Sequence, residues 1–369
     1  MKSVGLILSW VFAVLCGLLT VSFFLMGNWP QAPVLLFLTL VLAPPFRTII
    51  ERWMKKQVPW WGWIGSFIVL LAVFVMVGRL NRPTSVYKSP EIKARFLEIY
   101  DEKMKEWPVP YEDVYLDTSY GKVHVIVSGP EYAPPLILLH ASGVAGWSWK
   151  YNVAELSRHF RTYAIDLIGD AGKSEFTALD HIMEDGKDQA ELYTEITDKL
   201  GVEKAYVIGA SEGGFIGTNY ALHAPDRVVK LALLGPMGYT GAVKSSLRIM
   251  FAQFFPFKPI QDSTFKWAFS NSAELKEDFE EWFRLLMTGY NPAKVIPLPF
   301  SAEERQSLQV PVLIVLGTRD KLVGDPVAAR ELVQDIPDVR VEVLETGHLI
   351  AGEQPEQTNA LLLEFFASP

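Results

Sequence analysis

Residues 205–223 read AYVIGASEGGFIGTNYALH, and the pentapeptide Gly209-Ala210-Ser211-Glu212-Gly213 inside them decides the fold. The residues before it form a short apolar run, and those from Gly214 onward have helical periodicity. A serine flanked by small residues at a strand-to-helix junction predicts a turn so sharp that the hydroxyl stands at the strand tip. The N–H groups and positive dipole end of the following helix would also face negative charge developing at that point.

Outward from this turn, short apolar runs recur at 136–139, 162–165, 231–234, 312–316 and 339–344, separated by helical stretches such as 187–200 and 326–333. Strands alternating with helices predict an α/β fold, a mostly parallel sheet with helices on both faces. Ahead of it, 114–116 and 123–127 alternate around Gly121 and read as a hairpin. The interval 235–310 is too long for a loop in a compact domain, so an inserted cap is expected at about 237–300. It carries Phe251, Phe254, Phe255, Phe257, Phe265, Trp267, Phe269, Trp282, Phe283 and Tyr290. Such aromatics pack a cap onto its sheet and, above a site, roof an apolar pocket.

A serine hydroxyl is a poor nucleophile at neutral pH and needs a base. Of the six histidines, His348 follows the last strand run across Glu345-Thr346-Gly347 and precedes the terminal helix, which puts it at the same sheet edge as Ser211. An acid must hold the imidazole and stabilise the imidazolium. Asp320, just after the run 312–316, has that position; Asp325, next to Pro326, reads as the turn into the next helix, and the run 231–234 is followed by Gly235 and Pro236. Two backbone donors are expected to bind the oxyanion, the N–H of Glu212 and that of Ser142 in His140-Ala141-Ser142-Gly143. Because a carboxylate beside an oxyanion is repulsive, the Glu212 side chain should turn away from the cavity, solvated or hydrogen-bonded. His140 reads as a residue that braces its loop.

The chain has 369 residues, 50% of them hydrophobic, and a formal net charge of -8. Intrinsic disorder is excluded by the apolar content, and an intramolecular disulfide by the single cysteine, Cys16. The acidic balance argues against general nucleic-acid binding. GDAGKS at 169–174 lacks the first glycine of a phosphate loop, since Leu167 stands there, and no metal-ligand spacing occurs, so neither cofactor nor metal is expected.

A mean hydropathy of +0.17 is high for a soluble enzyme, and the excess lies at the front. Residues 4–27 carry no charge, 60–78 form a second long apolar segment flanked by tryptophans, and 32–46 form a shorter one ending near Pro44-Pro45. About 20 apolar residues cross a bilayer core. Residues 1–80 are therefore expected to be a membrane region with two or three transmembrane helices, 81–110 a surface linker helix, and 111–369 the catalytic domain. Arg47, Arg52, Lys55 and Lys56, with Lys2, orient a multi-pass cell-membrane protein with its catalytic domain extracytoplasmic, although Arg79, Arg82, Lys88, Lys93 and Arg95 pull the other way.

The ordered segments LLHASG, YAIDLIGDAGKS, GASEGG, LGTRDKLV and GH resemble the α/β-hydrolase superfamily, and within it carboxylesterases of the naproxen-esterase (carboxylesterase NP) type. The resemblance runs from about Tyr111 to Phe366 and includes NPAKVIPLPFSAEE. It implies a hydrolase sheet with a helical cap and a triad of Ser211, Asp320 and His348; with the aromatic roof and the membrane segments, the expectation is cleavage of apolar or lipid-like carboxylic esters through an acyl-enzyme. Ala141 stands where the family often has glycine, Glu212 where it usually has an uncharged residue, and the membrane segments are additional. The same fold hosts amidases, thioesterases, C–C hydrolases and cofactor-free peroxidases. A noncatalytic membrane-attached binding protein is the alternative from another class, and the complete triad speaks against it.

Overall fold

The apolar runs around residue 211 pair into one twisted sheet, in the order β1-β2-β4-β3-β6-β7-β8-β9. The strands are β1 (Tyr111–Thr118), β2 (Gly121–Ser128), β3 (Pro135–Leu139), β4 (Arg161–Ile165), β5 (Glu175–Phe176), β6 (Ala205–Ala210), β7 (Val228–Leu234), β8 (Val312–Gly317) and β9 (Val339–Leu344). From β4 through β9 the neighbours in the main order are parallel, while the hairpin β1–β2 adds antiparallel beside β4 and the short β5 pairs with β2. The computed structural model describes residues 85–176, 183–239, 257–268, 273–290 and 297–368, with isolated positions at 248, 252 and 295 and between 36 and 73.

Both faces of the sheet are covered, because successive side chains on a strand point to opposite sides. Leu136 and Leu138 join one apolar core while Ile137 and Leu139 join the other. The first core is closed by α1 (Pro90–Met104), α2 (Lys150–Leu156), α6 (Ala273–Gly289) and α10 (Pro355–Ala367), the second by α3 (Gly186–Lys199) and α4 (Glu212–His223). Between β7 and β8 lie α5 (Lys258–Ala268), α6 and α7 (Ala302–Gln306); after β8 come α8 (Pro326–Leu332) and α9 (Ile350–Glu353). The chain leaves β3 toward β4 on one side and returns to β6 on the other, so the carboxyl ends of β3 and β6 flank a topological switch point, where open α/β sheets place their sites.

The chain divides into two compact units, Met1–Pro83 and Thr84–Pro369. Helix α1 belongs to the second, which corrects the expectation of a surface linker over 81–110. Ser89 caps it, accepting from the Ile92 N–H at 3.3 Å, and Pro90 fits its first turn. Glu91, Glu98, Asp101 and Glu102 are exposed and Lys93, Arg95 and Lys103 half-buried, while Phe96, Ile99, Tyr100 and Met104 form a buried stripe at helical spacing. The Lys/Glu alternation marks only the outer face. The apolar segments at 4–27, 32–46 and 60–78 lie, isolated positions aside, outside the described residues; among the described residues no helix is long and apolar enough to cross a membrane.

Candidate active site

Ser211 sits between β6 and α4 with φ 51° and ψ -110°. A non-glycine residue in this region stores strain of about 1–3 kcal/mol and persists only where its surroundings over-determine it. They do so here. The Ser211 N–H donates to Leu234 O at 2.9 Å, and the Ser211 carbonyl accepts from Gly214, Phe215 and Met237. The turn also demands its flanking glycines: a Cβ at Gly209 would stand 2.3 Å from Gly213 O, and one at Gly213 2.2 Å from Leu139 O.

His348 Nε2 lies 2.8 Å from Ser211 Oγ, and His348 Nδ1 lies 2.8 Å from Asp320 Oδ2. The other carboxylate oxygen of Asp320 accepts the N–H groups of Leu322 at 2.8 Å and Val323 at 3.0 Å. All three side chains are buried, at 4%, 8% and 4% exposure for Ser211, His348 and Asp320. Burial pulls the His348 imidazole down, but the charge and hydrogen bond of Asp320, with the more distant charge of Glu353, outweigh it and leave its pKa raised. Burial likewise pushes the Asp320 carboxyl up, yet His348 and the two backbone donors hold it below the usual range. Asp320 is thus ionised and accepts from Nδ1–H, which leaves Nε2 to accept the serine hydroxyl proton.

The remaining acid candidates stand elsewhere. Asp325 caps α8 through the Val327 N–H at 3.0 Å. After β7, Gly235 has φ +52°, and a Cβ there would come 3.1 Å from Asp320 Oδ2 and 3.6 Å from His348 Nδ1. The strand end that offers no acid is the one pressed against the acid–imidazole pair.

The loop after β3 abuts the first turn of α4, since the Gly213 Cβ position is also 2.7 Å from His140 O. Ser142 is exposed at its tip. His140 braces this loop: its Nε2 accepts the Leu167 N–H at 3.0 Å, and its Nδ1 lies 2.8 Å from Ala141 O and 3.3 Å from the Ala145 N. In a trans peptide C=O and N–H point oppositely, so fixing the Ala141 carbonyl aims the Ser142 N–H. Glu212 is 2% exposed and lines a small cavity with Asp170, Gln189, Tyr193 and Ile216, separate from the cavity lined by His348. Of the two expectations for its side chain, solvation is excluded by this burial.

The cavity at His348 is lined by Ala141, Val144, Trp149, Tyr151, Phe279, Leu349 and Ile350, among others, and is mostly apolar. Among the described residues Phe279, on α6, is the cap aromatic that lines it, a residue absent from the expected stripe. Of that stripe, Phe265, Trp282, Phe283 and Tyr290 are buried, Trp267 is half-buried, Phe257 is exposed, and Phe251, Phe254, Phe255 and Phe269 lie outside the described residues. Sequence reading also missed His124 and Asp166, both wholly buried and hydrogen-bonded to each other. The signal available for His124 was its place inside the apolar run 123–127. Among the described residues no group of three or more His, Cys, Asp or Glu side chains could hold a metal ion.

A parallel sheet with a strained serine at the tip of one strand, hydrogen-bonded to a histidine from another strand end, has the architecture of an α/β hydrolase. Residues 136–361 match the Alpha/beta hydrolase family, and the chain belongs to that family. It is 30% identical over 299 residues to the uncharacterized carboxylesterase nap of Bacillus subtilis, covering 78% of this chain and 97% of that protein. Carboxylesterase YbfK of Bacillus subtilis is 32% identical over 287 residues, with 76% of this chain and 96% of that protein covered. The crystal structure of naproxen esterase (carboxylesterase NP) from Bacillus subtilis matches with a TM-score of 0.70 at 30% identity, covering 75% of this chain and 99% of that chain. The protein is a serine hydrolase of carboxylesterase-like type.

Proposed function

We propose that the protein is a membrane-anchored esterase working through an acyl-enzyme on Ser211. The Ser211 oxygen attacks the ester carbonyl carbon while His348 Nε2 takes its proton, and Asp320 stabilises the imidazolium. The C–O bond to the alcohol then breaks as His348 returns that proton to the departing oxygen. A water molecule, deprotonated by the same nitrogen, attacks the acyl carbon, and Ser211 leaves with the proton as the free acid departs. The backbone N–H groups of Ser142 and Glu212 carry the negative oxygen in both tetrahedral states.

One observation carries this reading: a hydroxyl at a strained turn, in line with an imidazole and a carboxylate at 2.8 Å each. The apolar lining of the His348 cavity favours a neutral, hydrophobic acyl or alcohol group over a charged metabolite. Anchoring rests on the uncharged length of residues 4–27 and 60–78, and an extracytoplasmic domain rests on the basic residues between the second and third segments. A bilayer anchor would concentrate lipophilic esters at the site.

Ser211→Ala should retain only the catalysis that positioning and the oxyanion donors provide, about 10³–10⁴ over water. Hydrolysis of a p-nitrophenyl ester by this variant at the wild-type rate sinks the assignment. Protease protection of the domain in intact cells and its accessibility in inverted vesicles would overturn the orientation, and release of the full chain by a high-salt or carbonate wash would overturn the anchor.

A further inference from the structure

We propose that Trp282, on the cap helix α6, is a positioning residue for ester hydrolysis, setting the oxyanion loop through the backbone of Gly143. The inference rests on the acyl-enzyme reading above and extends it to the control of that site.

Three successive peptide units of the loop are each held by a buried group. The unit joining residues 141 and 142, which contains the Ser142 N–H, is held by His140 Nδ1 and the Val144 N–H, both on Ala141 O. The next unit is held by Asp170, whose two oxygens accept the Gly143 N–H at 3.0 and 2.8 Å. The third is held from outside the sheet domain's own loops: Trp282 Nε1 donates to Gly143 O at 2.6 Å. Fixing all three planes leaves Ser142 little torsional freedom, because only φ and ψ between rigid planes remain.

The cap contributes more than one contact. Trp282, Leu286 and Tyr290 follow at four-residue spacing, one face of α6 and its end. Leu286 Cδ1 would be 3.0 Å from a Cβ at Gly143, and Tyr290 donates its hydroxyl proton to Asp170. Trp282 is itself immobilised between Phe96 of α1, at 4.8 Å and 87°, and Trp147, at 5.7 Å and 78°. Helix α1 also fastens α6 through Arg95 to Glu281 and Lys103 to Asp278, and just ahead of α1 the Lys88 N–H donates to Gly289 O. A shift of the cap helix therefore moves a backbone carbonyl one residue from the assigned oxyanion donor. Misplacement of about 1 Å remote from the chemistry can cost about a hundredfold in rate.

The test uses the full-length protein with p-nitrophenyl butyrate and with a trifluoromethyl ketone, which forms a tetrahedral adduct with an active serine. Trp282→Phe keeps an aromatic ring between Phe96 and Trp147 but removes the N–H. It should lower kcat about tenfold to a hundredfold with KM unchanged, and weaken the ketone by the same factor. Tyr290→Phe, which loosens the hold of Asp170, should do the same to a smaller degree and carries the test alone if Trp282→Phe does not fold. Undiminished kcat in the folded variants, a raised KM with kcat intact, or a loss of kcat that merely follows a lowered Tm overturns the inference. Ser211→Ala separates the two readings: retained activity there overturns both, whereas an inactive Ser211→Ala beside an undiminished Trp282→Phe overturns this one alone.

Discussion

Glu353 Oε2 accepts the backbone N–H of Gly347 at 2.7 Å, one residue ahead of His348. The contact pins the loop carrying the base and sets a second negative charge near the imidazole, after Asp320, that strengthens its hold on a proton. A base must be neutral to accept the serine proton, so activity rises with pH through the His348 pKa. Glu353→Gln retains an acceptor but loses the charge, and the acidic limb of the kcat/KM profile should move to lower pH. A limb that stays in place or moves upward would count against this electrostatic role.

The second buried histidine gives a stability prediction with two edges. His124 Nδ1 lies 2.9 Å from Asp166 Oδ2 and its Nε2 2.7 Å from Asp113 Oδ1, with Tyr100 Oη at 3.4 Å from Nδ1 and the Tyr115 ring also against the imidazole. Burial pulls His124 down, but the two carboxylates outweigh it and its pKa is raised; Asp166, pushed up by burial, is held low by His124. A raised histidine contributes stability that is complete below its unfolded pKa and is lost as pH rises through the folded one. A depressed aspartate contributes stability lost as pH falls through its folded pKa. Tm should therefore fall on both sides of a plateau. His124→Gln should flatten the alkaline decline and cost about 3–5 kcal/mol in urea unfolding, because Asp166 is left buried without its cation.

Gly235→Ala is expected to damage catalysis more than folding. A Cβ at φ +52° costs about 1–2 kcal/mol in backbone strain. The same atom would press on Asp320 Oδ2 and His348 Nδ1, and a displaced pair of this kind can lower kcat about a hundredfold. Steady-state kinetics beside a thermal melt would detect it, and a full kcat in Gly235→Ala would show that the pair tolerates displacement.

Phe279→Ala opens the wall of the His348 cavity. For a series of p-nitrophenyl esters of increasing acyl length, KM should rise most for the longer chains. Removing a buried phenylalanine should also cost about 3–5 kcal/mol of stability, so activity is compared per folded molecule. Equal changes at every chain length would place Phe279 outside the acyl site.

The strands themselves, and the strand ends that carry Ser211, Asp320 and His348, were legible because each follows an apolar run whose period and length mark a strand, whereas the order of the strands in the sheet was not. A residue at a strand's carboxyl end has few places to go. Glu212 was read less well: burial of its carboxylate depends on Gln189, Tyr193 and Asp170, which come from distant segments. Helix α1 was misread for a related reason. Its Lys and Glu residues dominate the composition, while the stripe of Phe96, Ile99, Tyr100 and Met104 has meaning only once α6 lies against it. The clamp from Trp282 to Gly143 joins residues far apart in sequence, and no local pattern announces such a hydrogen bond.

The packing of α1 also dictates where a stable fragment carrying the sheet and the site can start. A truncation beginning at Tyr111, the edge of the strand pattern, would strip away Phe96, Ile99, Tyr100 and Met104, each contributing about 1.5–3 kcal/mol by its burial. It would also uncover the back of Trp282. Expression trials and limited proteolysis should therefore place the cut upstream of Thr84, and a shorter product is expected in inclusion bodies.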